Sequence, residues 1–156
     1  MPYYTPSAIA RNADVRMGLR VDRAATSVLG ATTKSIFRVV TGKVVVYGLM
    51  AESTTGQAAG ANAVTWVSTP TTGTAVNLSG GVTSIASQEA GGMVSLTGVL
   101  ADATLVTTKG AGQLCTAPLV IPPGVIGFNT AGNTAGSYKF SVWYVPAEEG
   151  AYVTTA

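Results

Sequence analysis

No histidine occurs anywhere in these 156 residues, and cysteine occurs once, at Cys115. The commonest general base and transition-metal ligand is therefore missing, and neither a Ser-His nor a Cys-His nucleophilic pair can form within one chain. A single cysteine also excludes an intrachain disulfide framework and a Cys-rich zinc site. Charge is scarce too: Asp, Glu, Lys and Arg make up 10% of the chain, against roughly 25% in average soluble domains. Hydrophobic residues reach 47% and mean hydropathy is +0.37, yet no long apolar run accompanies them. The longest, residues 44–51 with Gly48 inside it, falls far short of the ~20 residues of a membrane-spanning helix. No membrane partner is expected. The opening Met1-Pro2-Tyr3-Tyr4-Thr5-Pro6 has neither the basic nor the apolar stretch of a secretory signal, so no such leader is expected. These absences speak against an enzyme, and no catalytic residue, cofactor or metal ligand is assigned.

What charge there is lies unevenly. Residues 1–43 hold seven cations against two carboxylates, a net +5, while residues 44–156 carry a net −3. The division expected from this is a basic N-terminal arm, residues 1–35, ahead of a nearly neutral domain, residues 36–156. Within residues 8–25, Arg16, Arg20 and Arg23 recur at i, i+4 and i+7, and Ala13, Met17 and Val21 at i, i+4 and i+8. That spacing permits a short amphipathic helix, although Gly18 costs it about 1 kcal/mol relative to alanine. The same residues suit an extended arm that orders on a partner, and this is the reading adopted. Arg11, Arg16, Arg20 and Arg23 are then the candidate partner-binding residues. Nucleic acid is disfavoured as that partner, because Asp14 and Asp22 interrupt the arginines and only Tyr3 and Tyr4 offer stacking.

From residue 36 onward, short runs rich in Val, Ile, Thr and aromatics alternate with Gly and Pro, the pattern of strands. Thr41-Gly42 is expected to close a hairpin between residues 36–40 and 43–50. Gly80-Gly81 reads as a type I′ turn between 75–79 and 82–85. Pro122-Pro123-Gly124 reads as a type II turn between 118–121 and 125–128. Further strands are expected at 64–68, 93–100, 104–108 and 151–155. The clearest spans 138–145, where Tyr138, Phe140, Val142 and Tyr144 share one face by strict alternation before Pro146 stops the strand. Both tryptophans, Trp66 and Trp143, are expected in the core. The fold class is all-β: an antiparallel β-sandwich, jelly roll or small barrel with an extended N-terminal arm.

The remaining polar residues give little chemistry. Glu148 and Glu149 are adjacent, so in extended chain they point apart and suit a solvated turn better than a catalytic pair. Glu89 and Asp102 are the other conceivable carboxylate pair, with nothing in the sequence to bring them together. Cys115, with no histidine to activate it, reads as a small buried hydrophobe. Serine and threonine total 33, while lysine almost vanishes after residue 43. Isolated β-proteins guard their edges with such charges, so the edges are expected to be covered either by the chain's own leader or by other chains.

The stretch Ile36-Phe37-Arg38-Val39-Val40-Thr41-Gly42-Lys43-Val44, the loop Pro70-Thr71-Thr72-Gly73-Thr74, the segment Val120-Ile121-Pro122-Pro123-Gly124-Val125-Ile126-Gly127 and the end Val142-Trp143-Tyr144-Val145-Pro146 with Gly150-Ala151 resemble small virion structural proteins of tailed bacteriophages. The resemblance rests on turn-and-strand phrases and implies a particle component of the capsid decoration (cement) type, located in the virion. It implies the major capsid protein and further copies of this chain, as a trimer or similar closed oligomer, as partners. The alternatives kept open are a tail or fibre component that binds a host glycan and, last, a carboxylate-only hydrolase.

Overall fold

In the computed structural model, the residues described are 18–27, 31–57, 62–81, 83–132 and 136–156. They form twelve strands in chain order: β1 (Leu19–Ser27), β2 (Thr32–Val40), β3 (Val44–Ser53), β4 (Ala63–Pro70), β5 (Val76–Asn77), β6 (Thr83–Ser84), β7 (Met93–Ser95), β8 (Leu105–Thr107), β9 (Leu119–Ile121), β10 (Gly124–Thr130), β11 (Ser137–Pro146) and β12 (Tyr152–Thr155). Two six-stranded antiparallel sheets result. The first runs β1-β11-β3-β7-β8, with β9 also on β3; the second runs β12-β2-β10-β4-β5, with β6 also on β4. Each sheet has free edges, so the small closed barrel among the expectations does not hold.

Between the sheets lies one apolar core, and β11 shows how the sequence builds it. Tyr138, Phe140, Val142 and Tyr144 all point inward, as the alternation predicts. Across from them, β4 and β10 supply Trp66 and Phe128. Trp66 meets Phe128 at 5.0 Å and Phe140 at 5.9 Å between ring centres, both edge to face, the arrangement aromatic quadrupoles favour. The buried Trp66 indole N–H has no oxygen acceptor among the described residues. Trp143 departs from expectation: it faces the outside of the first sheet, one register position from the buried Val142.

Bulges adjust the alternation at defined points. In β2, Phe37 opposes Ile126 and Ser35 opposes Gly127, which leaves Ile36 as the extra residue. Both Ile36 and Phe37 are buried as a result. In β3, Tyr47 is the extra residue between Val46 and Gly48, and its carbonyl accepts the Cys115 N–H at 3.0 Å.

The three expected hairpins are not hairpins. β2 and β3 belong to different sheets, so Thr41-Gly42 carries the chain across the core rather than back along a partner. Gly42 N–H bonds Val40 O at 2.9 Å while Thr41 sits at φ 71°, a γ-turn of the rare, strained kind. Likewise β9 and β10 belong to different sheets, and Gly124 adopts φ 152° rather than the ~+80° of a type II turn. β5 and β6 both pair with β4 and not with each other; Val82 lies outside the described residues. The intervening Gly80-Gly81 reaches instead to residues 102–104, where Gly80 N–H bonds Asp102 O at 2.7 Å. A chain of buried hydroxyls, Thr65 to Ser79 at 2.7 Å and Ser79 to Thr104 at 2.8 Å, fastens this corner.

At the N-terminal side, the expected boundary between residues 35 and 36 falls inside β2, and residues 19–27 form an edge strand on β11. The described part of the window that could have been helical is therefore extended.

Candidate partner-binding surface

The outer face of the first sheet gathers four of the described charged residues, Arg20, Asp22, Glu52 and Lys139, into one stripe. Three cross-strand pairs line up there: Arg20 opposite Trp143, Asp22 opposite Ser141, and Lys139 opposite Glu52. Directly opposed residues share a face at close range, and each pair makes contact. The Arg20 guanidinium lies 5.1 Å from the Trp143 ring centre. The Ser141 hydroxyl donates to Asp22 Oδ1 at 2.6 Å, and Lys139 Nζ meets Glu52 Oε1 at 2.9 Å. Arg20 Nε also pairs with Asp22 Oδ1 at 2.8 Å. Burial at the sheet edge pushes the Asp22 carboxyl up, but the hydrogen bonds from Ser141 and Arg20, with the charges of Arg20 and Lys139, outweigh it and hold it below its ordinary value. A recess of about 330 Å³ opens between these groups. Its lining sets Arg20, Arg23 and Lys139 against Asp22 and Glu52, and both carboxylates are ion-paired, so only a single net positive charge is left. Asp22 is held ionised, the opposite of what a general acid needs.

Next to this stripe the same face turns apolar. Tyr47 and Val120 are exposed, Val120 at 63%, and Val120 stands opposite Val45. Gly48 has no side chain here because the Leu114 and Trp143 side chains close over it. Cys115, on the strap that carries Leu114, packs against the core, and burial pushes its thiol pKa up.

The four arginines singled out in the sequence separate. Arg11 and Arg16 lie outside the described residues. Arg20 belongs to the stripe. Arg23 lies opposite Phe140, on the inward side of β1, and crosses to the other sheet. Its Nη1 donates to Ser35 O at 2.5 Å and Ile36 O at 2.9 Å. The C-terminal Ala156 N–H also reaches Ile36 O, at 3.0 Å. Arg23 therefore caps the edge of β2 where β12 ends, with Nη1 engaged by two carbonyls of the chain. Glu148 accepts from the Lys43 N–H at 2.9 Å and pairs with Lys43 Nζ at 3.1 Å; the Lys43 backbone bond, then its side chain, lower the carboxyl pKa. Glu89 pairs with Lys109 at 3.5 Å.

Sequence reasoning passed over Arg38, Thr41 and Tyr152. The alternation of β2 carries the signal for Arg38, since Phe37 and Val39 are buried and Arg38 between them is exposed. Comparison with family models, curated proteins and solved structures found no match.

Proposed function

We propose that this protein is a structural component of a tailed-phage virion, a capsid decoration protein that docks on the head shell and stabilises it. The observation that carries the reading is the outer face of the first sheet, where exposed Tyr47 and Val120 adjoin a charge-balanced stripe. Apolar surface rimmed by satisfied polar groups suits coverage by another protein. Edge strand β1 borders this face and continues back into the basic leader with Arg11 and Arg16, which reaches the major capsid protein as an arm.

The strand order supports a jelly-roll sandwich. Sheet orders 1-11-3-7 and 2-10-4-5 alternate between the two sheets over β1 to β4 and again over β9 to β12, while β4 to β6 share the second sheet and β7 to β9 the first; this is compatible with two wrapped Greek keys, a form that viral shells use. That support is analogy of fold and not of site. Copies assemble as a trimer, so that weak contacts repeated by symmetry add avidity. Imaging of head shells incubated with gold-labelled protein tests this reading. Regular labelling of the shell supports it. Label confined to tails, with binding on a glycan array, would replace it with host recognition.

A further inference from the structure

Arg38 stands apart from every other described cation. Arg20, Lys43, Lys109 and Lys139 have carboxylate partners, while Arg23 and Lys34 donate to backbone carbonyls. Among the described residues Arg38 has neither an ion pair nor a hydrogen bond, and it is exposed. It lines a cleft of about 420 Å³ at the end of the second sheet, where β2 stops, β10 begins and β4 stops. Pro70, Pro123, Val40 and Val125 form apolar walls, and Thr41 and Thr69 contribute hydroxyls.

Local backbone keeps the cleft in shape. Thr71 N–H and Oγ1 both donate to Pro123 O, at 2.9 and 2.8 Å, tying the β4 end to the start of β10. Gly124 cannot carry a side chain there, because a Cβ would run into the Thr69 carbonyl and Pro70. Tyr152 opposes Val40 and Thr154 opposes Arg38, so the exposed Tyr152 ring rises from the same face.

We infer that this cleft binds a polypeptide segment presenting a carboxylate side chain between apolar residues. An unpaired guanidinium is a planar fork matched to a carboxylate, and the proline and valine walls suit aliphatic neighbours of that carboxylate. A sugar fits less well. The carboxylates and amides that grip sugar hydroxyls through two atoms at once are missing, since no Asp, Glu, Asn or Gln lines the cleft and threonine hydroxyls are its only neutral polar side chains. The inference stands apart from the virion reading, because it concerns a peptide contact on the opposite sheet from the proposed docking face.

The test is a titration of the full-length, ¹⁵N-labelled protein with the blocked peptide acetyl-Ala-Pro-Glu-Val-Ala-amide, read by amide shifts. Saturable shifts at Arg38, Val40, Thr41, Thr71 and Val125 are expected. Binding should weaken at least about tenfold when the peptide glutamate is replaced by glutamine, and again in Arg38→Gln, given the strength of charge-assisted pairs. Equal shifts with the glutamine peptide, undiminished binding by Arg38→Gln, or no shifts at all would each overturn the inference. Tighter binding of glucuronic acid than of the peptide would overturn the choice of occupant. The glutamine peptide keeps the test valid even should the protein variant fold poorly. Head-shell binding is read separately, so either claim can fail alone.

Discussion

Arg23 and Asp22 are neighbours in the chain with opposite tasks, and each gives a measurable expectation. Arg23 crosses from β1 to β2 and donates to two carbonyls at the end of the β12 pairing, Ser35 O and Ile36 O, the second shared with the Ala156 N–H. Hydrogen bonds from a charged donor are worth about 1.5–3 kcal/mol when buried and less when solvent reaches them. Arg23→Met should therefore lower stability by about 1–3 kcal/mol, seen as a lower midpoint in urea with an unchanged slope. Asp22 and Glu148 both have folded pKa values below their ordinary 3.8 and 4.5. A depressed folded value means that the stabilisation is complete above the unfolded pKa and is lost as pH falls through the folded one. Thermal melts should then be flat from pH 7 to about 5 and fall below about pH 4, and Asp22→Asn should shrink that acid-side fall. Cys115 is held protonated by burial, and only thiolate attacks disulfide reagents. At pH 8 its reaction with an aromatic disulfide should be slower than that of free cysteine, and should speed up in denaturant.

At the scale of elements, the edge strand β1 is the part whose removal says most. It pairs with β11 along residues 19–27, and Val21 packs against the core. A chain starting at residue 36 loses β1, the Arg23 cap and the β2–β10 pairs at Thr32, Thr33, Lys34 and Ser35. Its melt should be markedly lower or absent; an unchanged cooperative melt would show that these pairings contribute nothing. Strand β11 was legible in the sequence because it is central, with one face buried and one exposed, so alternation alone marks its inward residues. β1 was not. Its outward residues are charged, its inward row contains Arg23, and a bulge between Arg23 and Thr26 breaks the period. Thr41-Gly42 and Pro122-Pro123-Gly124 were recognised as turns but misread as hairpins for a shared reason. Glycine and proline report that the chain bends, not whether the next strand joins the same sheet or the opposite one. The stripe was half legible: Arg20 was singled out, whereas its cross-strand partners come from β11, more than a hundred residues away.

For the whole molecule, two sheets clamp a cluster of four aromatic rings, and eight of the thirteen described charged residues form four ion pairs within the chain. Phe140→Ala, at the centre of that cluster, should cost about 3–5 kcal/mol, a large share of the stability of one domain. Two surfaces carry the proposals, the face with Tyr47 and Val120 and the cleft around Arg38, and they lie on opposite sheets. Docking on a capsid through the first face and the basic leader is the central claim. Cosedimentation of purified protein with bare head shells, across a salt series, tests it most directly. Saturable binding is expected, weakening as salt screens charges more than about 8–10 Å apart. Binding should also weaken with Arg11→Glu, Arg16→Glu and Arg20→Glu combined, while circular dichroism stays unchanged. Protein that remains in the supernatant with intact shells at low salt, at concentrations well above those of the shell sites, would contradict it.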